Sequence, residues 1–257
     1  MELFTILGLL LAFIGVIGGM LYEGGHVLAL VSPPAFLIVM VGSFGAVIVG
    51  SKQSEAGLII RAIKHVFIPP RLDFKATMDT ILEFANLARR EGLLALEDYT
   101  TSEDGDPFLQ QCLMLAIDGS SAESIRETVE MDMHLKEQDA SATAKFWQSW
   151  GTFAPTIGVL GAVLGLIHVM QNLQNPAQIG PGIAVAFIAT VYGVGYANLV
   201  CMPCFFKLQR QSEHQQRMYR MILEGVVGIQ SGVAPGALRS KLGVFITKKA
   251  KDAASTR

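Results

Sequence analysis

Charge is missing from long stretches of this sequence. Only 16% of the 257 residues are Asp, Glu, Lys or Arg, whereas a soluble domain usually has about 25%. Trp150–Phe206 contains none of the four, and Met1–Gly50 contains no Lys or Arg. Uncharged runs of this length exclude an ordinary soluble domain and indicate a membrane protein.

Residues that carry chemistry are also scarce. Three cysteines, Cys112, Cys201 and Cys204, give an odd count that excludes a disulfide scaffold. Cys201 and Cys204 have C-x-x-C spacing inside an apolar run, where we favour helix packing over a redox or zinc site. The sequence has no nucleotide-binding loop, metal-ligand cluster or nucleophile elbow, and its five His are scattered. We therefore predict no enzymatic activity, catalytic residue, metal, cofactor or nucleic-acid partner.

His168 is the one histidine within an apolar run, and it lies near the end of that run. A lone membrane histidine can relay protons. At this position we favour a hydrogen-bonded histidine at the membrane interface.

Four apolar runs are long enough, or can be extended enough, to cross a bilayer core of about 30 Å as helices. They are Leu3–Leu21, Ala35–Gly50, Trp150–Met170 and Gly182–Phe206. All 20 Lys and Arg lie in Ser51–Ser149 or after Phe206. The link between the first two runs (22–34) and the link between the last two (171–181) contain none. The positive-inside rule then places both polar segments and both termini in the cytoplasm. For the basic tail Lys248–Lys251 we favour a solvated segment over a lipid contact.

These features predict an all-α membrane protein with four transmembrane helices. The third and fourth are predicted to extend into a helical cytoplasmic domain. The expected division is a transmembrane hairpin (1–50), a cytoplasmic helical loop domain (51–149), a pore-lining hairpin (150–206) and a cytoplasmic C-terminal helix and tail (207–257).

Turn and cap signals divide the polar loop into helices. Asp73 and Asp106 are predicted N-caps, and Gly119 is a predicted helix end. Ser120 and Glu123 have the spacing of a capping box. No helix breaker follows until Gly151 and Pro155, so one helix is predicted from about Ser121 to Met170.

Small residues recur at helical spacing in the third and fourth spans, which lets helix backbones approach closely in lipid. The stripes are Gly151, Ala154, Gly158, Gly161 and Gly165, and Gly182, Ala186, Ala189, Gly193 and Ala197. Thr156 and Thr190 lie at their edges. The stripes either line a path for an ion or pack the spans of one subunit, with each Thr bonded to its own helix. The spans hold no carboxylate, so in the first case another polypeptide must supply an Asp or Glu.

Two further features each leave two interpretations open. Pro155 and Pro203 favour kinks inside the third and fourth spans, either as flexing points or as static bends. Arg89 and Arg90 precede Glu97 and Asp98, and Arg90 and Glu97 share a face if the helix persists through Gly92. We favour a solvated face for these charges over a charged edge that meets a partner.

Four motifs carry a resemblance to a known family. They are Glu23-Gly24-Gly25, the run from Ala88 to Glu97 (ARREGLLALE), the run from Ala154 to Leu166 (APTIGVLGAVLGL) and the run from Ala189 to Gly193 (ATVYG). Together they resemble the A-subunits of bacterial flagellar stators, the MotA/PomA family within the MotA/TolQ/ExbB proton-channel group. The resemblance covers nearly the whole chain.

This resemblance implies a homopentamer in the bacterial inner membrane around a dimer of a MotB-type B-subunit. That B-subunit binds peptidoglycan and carries the essential Asp. The family's rotor-facing charges, which meet the rotor protein FliG, correspond to Arg89, Arg90 and Glu97, with Asp98 beside them. Its functional prolines correspond to Pro155 and Pro203, and its pore threonine to Thr190.

Within the family, sodium-driven members have additional Thr where this chain has Ala162 and Ala189, so the resemblance favours proton coupling over sodium. The expected ion pathway is therefore Thr156, Ala162, Ala189 and Thr190, and the expected helix-packing residues are Gly158, Gly161, Gly165 and Gly193. The alternatives are an ExbB/TolQ-like energising subunit of an outer-membrane transport system and a scaffold that conducts nothing. The four predicted spans and the ARREGLLALE run argue against the first.

Overall fold

The computed structural model describes residues 3–51, 56–70, 72–103 and 105–246, and this part of the chain is helical, without a β-strand. The predicted fold class is confirmed. The basic tail Lys248–Lys251 lies outside the described residues, so its interpretation stays a prediction. The helices are α1 (Leu3–Tyr22), α2 (Pro33–Gly50), α3 (Ala56–Phe67), α4 (Phe74–Glu91), α5 (Glu97–Thr100), α6 (Pro107–Ile117), α7 (Ala122–Gln171), α8 (Pro176–Tyr196), α9 (Met202–Gln230) and α10 (Pro235–Leu242).

Among the described residues, four helical segments are long and apolar enough to span a membrane. They correspond to the four predicted spans. The first, α1, has no residue buried within the chain. The third lies in α7, whose 50 residues correspond to about 75 Å of helix. The predicted long helix is therefore confirmed to within a residue at each end.

The polar loop begins its helices where its side chains can cap them. Asp73 accepts hydrogen bonds from the amides of Lys75 and Ala76, and Asp106 caps α6 in the same way. Gly119 follows the end of α6 with a φ of 81°, a conformation that favours glycine. These three predictions are confirmed.

The capping box at Ser120 is wrong by one residue. Ser121 is the cap, because its hydroxyl accepts the Ser124 amide at 3.1 Å. Glu123 therefore does not occupy the third helical position that a capping box requires.

Two spans begin earlier than their apolar runs, because proline is compatible with the first helical turn, whose amides lack intrahelical partners. The second span begins at Pro33, two residues before Ala35 and within the extension that its short apolar run is predicted to allow. The fourth begins at Pro176 rather than Gly182, so Pro181 lies inside the helix and not in the link.

The described residues divide into two compact units. The span unit comprises Met1–Pro70 and Ala140–Arg210, and the loop unit comprises Arg71–Asp139 and Gln211–Arg257. These units are defined by contacts within the chain, whereas the predicted four-part division assigns segments to the membrane or the cytoplasm. That division stays a prediction.

The described residues of the loop unit form one apolar core. The apolar last third of α9, residues 221–229, packs on the loop helices. Gly225 leaves room for Ile81, because a Cβ there would lie 2.7 Å from the isoleucine side chain. The largest fully buried side chains of this core are Ile81, Leu96, Leu109, Leu113, Ile125, Met221, Ile222, Leu238 and Leu242.

Candidate functional site

The glycine and alanine stripes of α7 and α8 face each other inside one chain. All ten stripe residues are buried. A Cβ added to Gly193 would lie 2.4 Å from the carbonyl oxygen of Ala154, and one added to Gly158 would lie 2.9 Å from that of Ala189. Backbone therefore lies directly against backbone, as small residues permit between membrane helices.

Within one chain, the stripes therefore pack the third span against the fourth. An ion path along their edges stays a prediction. Ala189, predicted to line the ion path, is fully buried, and a Cβ on Gly161 would lie 2.8 Å from the Ala189 side chain. The structure thus places Ala189 in the packing seam.

The two threonines lie beside this seam rather than in it. Thr156 is exposed and its hydroxyl donates to the Phe153 carbonyl at 2.9 Å. Thr190 is half-buried and donates to the Ala186 carbonyl at 3.3 Å. Each hydroxyl satisfies its donor within its own helix, and its oxygen keeps acceptor lone pairs that can face an ion or an acid. Ala162 is also half-buried.

Tyr192 fixes the fourth span to the link between the first two spans. Its hydroxyl donates to the Leu30 carbonyl and accepts the Ser32 amide at 3.3 Å. Ser32 in turn caps α2 by accepting the Ala35 amide. Sequence reasoning missed this role, although Tyr192 stands two residues after Thr190 within a quoted motif.

Aromatic side chains surround the other end of the spans. Trp150 donates its indole N–H to the Ser43 hydroxyl at 2.9 Å and lies against Phe44 and Tyr196, with ring centroids 5.0 and 4.9 Å away. The neighbouring Trp147 donates to a backbone carbonyl of α3. Sequence reasoning did not single out these residues, although Trp and Tyr are enriched at membrane interfaces.

The two prolines have different surroundings. Pro155 lies inside α7, which continues through it. Pro203 follows a π-helical segment, Ala197–Cys201, which joins α8 to α9. A π-bulge and a missing proline N–H both disturb the regular helical ladder, so this is the weaker point of the fourth span. A kink at either proline stays a prediction.

The predicted charged edge lies at two consecutive helix ends of the loop unit. Arg89 and Arg90 occupy the last turn of α4, and Glu97 and Asp98 occupy the first turn of α5. All four are exposed. Gly92 ends α4 with a φ of 88°, so the helix does not persist and the condition for Arg90 and Glu97 to share a helix face is not met. Instead, the two arginines lie at the C-terminal end of α4 and the two acidic residues at the N-terminal end of α5, where the helix dipole favours positive and negative charge respectively.

A buried leucine and an aromatic contact hold this corner. Leu96, between the two charged pairs, is 1% exposed. Tyr99 packs on Phe84 with ring centroids 4.6 Å apart, and Gln110 donates to the Tyr99 carbonyl at 3.0 Å. The corner is therefore a fixed platform from which the four charges project into solvent.

Glu224 joins three helices of the loop unit. Its carboxylate pairs with Arg126 of α7 and with Lys241 of α10. The hydrogen bond from Arg126, followed by that from Lys241, lowers the Glu224 pKa to about 2. The carboxylate is therefore ionised throughout the physiological range and fastens α10 to the long helices.

Four apolar helices, a closed glycine seam and a separate polar helical unit define a polytopic helical membrane protein. Residues 101–221 match the MotA/TolQ/ExbB proton channel family, and residues 6–92 match the motility protein A N-terminal family. The chain is 34% identical to motility protein A of Bacillus subtilis over 97% of its length and 92% of the relative. It is 34% identical to motility protein A of Helicobacter pylori over 94% of each chain.

Solved structures agree with these matches. The structure of C. jejuni MotAB aligns with a TM-score of 0.91 at 33% identity, covering 96% of this chain and 97% of that chain. The flagellar MotAB stator complex from Bacillus subtilis aligns with a TM-score of 0.88 at 34% identity, with the same coverage. The chain belongs to the motility protein A family, within the MotA/TolQ/ExbB proton channel family, and the resemblance stated from its motifs is confirmed.

Proposed function

We propose that this chain is the ion-conducting A-subunit of a bacterial flagellar stator and couples ion flow to torque on the rotor. The observation that carries the proposal is a full-length likeness to MotAB chains, combined with four spans that contain no Asp or Glu. An ion path through lipid needs an ionisable group. The chain therefore works as one part of a channel whose acid comes from a second protein.

The second protein is a MotB-type B-subunit that binds peptidoglycan and carries an Asp in its single span. The relatives solved as MotAB complexes support this partner. Since the glycine seam is closed within the chain, the partner's Asp meets the hydroxyl-bearing surface beside the seam. Thr190 and Thr156, with the small side chain of Ala162, are the residues proposed for that contact. A homopentamer around a B-subunit dimer is the proposed assembly.

The proposed ion is the proton. Ala162, on the surface beside the seam, offers no hydroxyl oxygen, and a hydrated or partly dehydrated sodium ion needs several oxygen ligands. Protonation of a single carboxylate needs none beyond that carboxylate. The proton-channel description of the family supports this choice over sodium.

Neutralising the partner's Asp changes the contacts between the pentamer and the B-subunit dimer, and the pentamer rotates by one step about the dimer. Pro155 and Pro203 are the proposed flexing points of the third and fourth spans. The exposed edge of Arg89, Arg90 and Glu97, with Asp98 beside them, then acts on charged residues of FliG.

The proposed location is the bacterial inner membrane with both polar segments and both termini in the cytoplasm. All 20 Lys and Arg lie on one side of the spans in that topology. No enzymatic activity, cofactor or metal is part of the proposal. The ExbB/TolQ-like alternative is not favoured, because motility protein A of Bacillus subtilis and that of Helicobacter pylori match this chain over more than 90% of both lengths.

A charge-reversal pair tests the rotor-facing edge. Cells carrying Arg90→Glu with Glu97→Lys are expected to lose torque at low and high load, measured on tethered and bead-loaded flagella, while membrane levels of the protein stay normal. The control reverses two exposed charges elsewhere in the loop unit, Arg239→Glu with Glu127→Lys. Unchanged torque in the first variant, or equal loss in both, removes the assigned edge.

A further inference from the structure

Helix α3 is amphipathic in an unusual way for a helix outside the spans. Ala62 and Val66, four residues apart, are fully buried in one apolar cluster within the span unit. Ile60 and Ile63 lie on an adjacent face and remain 73% and 45% exposed. Arg61 and Lys64 continue round the helix and are also exposed. Three stripes therefore run along α3: a buried one, an exposed apolar one and an exposed basic one.

Two hydrogen bonds hold α3 at the ends of the spans. Trp147 of α7 donates its indole N–H to the Ala62 carbonyl at 3.3 Å. Lys207 of α9 donates to the Val66 carbonyl, in the last turn of α3, at 2.6 Å, and also to the Thr5 hydroxyl of α1. A cation at a helix C-terminus satisfies carbonyls that lack an intrahelical partner.

The position of α3 follows from these contacts. Its anchors come from the same ends of the spans as the Trp150 aromatic cluster, and the second span ends at Gly50, only a few residues before α3 begins. Pro69 and Pro70 stop the helix before it can continue into the loop unit. α3 therefore lies where the apolar ends of the spans give way to the polar segments.

An exposed isoleucine pair is unfavourable in water, and an exposed basic pair is unfavourable in hydrocarbon. The boundary between acyl chains and headgroups satisfies both stripes at once. With the proposed topology, that boundary belongs to the inner leaflet, whose anionic lipids attract Lys and Arg.

We propose that α3 is an anionic-lipid site, at which Ile60 and Ile63 enter the acyl region while Arg61 and Lys64 bind the phosphate of a phospholipid such as phosphatidylglycerol. The site is separate from the ion path and from the rotor-facing edge. Its function is to fix the height and orientation of α3 relative to the inner leaflet. Through Trp147 of α7 and Lys207 of α9, it fixes the third and fourth spans as well.

Site-specific quenching tests the proposal on the complex with its B-subunit in liposomes. A fluorescent thiol probe is placed at Ile60→Cys and, as a control, at Leu94→Cys, an exposed leucine of the loop unit. The native Cys112, Cys201 and Cys204 are buried and do not compete for the reagent. Quenching is compared between spin-labelled phosphatidylglycerol and spin-labelled phosphatidylcholine at equal mole fraction.

The expected result is quenching at position 60 and none at position 94, with phosphatidylglycerol preferred. Each basic side chain near an anionic surface contributes about fivefold to that preference. Arg61→Gln with Lys64→Gln is expected to abolish the preference and keep the quenching. Arg61→Lys with Lys64→Arg is expected to retain both.

Three results would overturn the proposal. Quenching without a headgroup preference would leave an apolar contact only. A preference that survives high salt or the double Gln variant would place the anionic lipid elsewhere. A probe at position 60 that no lipid quenches and that cross-links to a second copy would make this face a subunit interface. If the double variant does not assemble, Lys64→Gln alone and a salt titration of the wild-type basic pair give the same decision.

Discussion

The closed glycine seam makes a sharp prediction about two glycines of one helix. A Cβ on Gly193 would lie 2.4 Å from the Ala154 carbonyl oxygen, whereas ordinary contact begins at 3.4 Å. The two helices must therefore separate locally by about 1 Å, or the backbone must bend, to admit one methyl group. A Cβ on Gly195, two residues further along, would meet nothing within 4 Å.

Comparing Gly193→Ala with Gly195→Ala isolates the cost of the clash. Both changes replace a helical glycine and gain about 1 kcal/mol of helix propensity. Overpacking at Gly193 costs about 1 to 3 kcal/mol. The propensity gains cancel in the comparison, so Gly193→Ala is expected to melt lower than Gly195→Ala by about 2 to 12 °C in a chain of this size.

The assay is the melting temperature of the detergent-purified complex, monitored by fluorescence-detected size exclusion after heating. Ion flux is measured on the same preparations. Gly195→Ala is expected to match the unsubstituted protein or exceed it. Equal melting temperatures for the two variants would show that α7 and α8 do not meet at this seam. The two helices would then be free to present their small residues to another polypeptide.

Three further variants test other parts of the structure. Glu224→Gln is expected to cost about 1 to 2 kcal/mol of loop-unit stability at neutral pH, since both of its cationic partners are more than a third exposed. The carboxylate stabilises fully above its unfolded pKa near 4.5, so the stability difference between Glu224→Gln and the unsubstituted protein should vanish as pH falls towards 2. Hydrogen exchange in α10 measures this difference. A difference that does not depend on pH would contradict the assigned ion pairs. Tyr192→Phe removes a bond to each of two backbone groups and should accelerate exchange of the Ser32 amide about fivefold, for a loss of about 1 kcal/mol, while Tyr22→Phe, 95% exposed, should change nothing. Thr190→Val is expected to reduce ion flux while Thr190→Ser retains it; equal flux in both would remove the hydroxyl from the path.

Local signals were sufficient for most of the fold. Uncharged length predicts the four spans, because burying a charge in lipid is costly at any position. Caps at Asp73 and Asp106 predict helix starts through contacts with amides two and three residues away. Boundaries were less secure at prolines, since a proline such as Pro176 is compatible with the start of a helix as well as with a link.

The candidate site depends on contacts that spacing does not contain. The same stripe of small residues can face a neighbouring helix of its own chain or another polypeptide, and the packing of Gly158 on Ala189 of the same chain appears only in the structure. The bond between Tyr192 and Leu30 joins residues 162 positions apart. The absence of a carboxylate from the spans, by contrast, is a property of the sequence itself, and the proposed need for a second protein rests on it.

Proton flux into liposomes tests most directly whether conduction requires an acid from a second protein. The chain purified alone is predicted to stay at the background of empty liposomes, and flux should appear when the B-subunit is co-reconstituted and disappear when the Asp of its span is changed to Asn. Flux through the chain alone, or flux that persists with the Asn variant, would contradict the account.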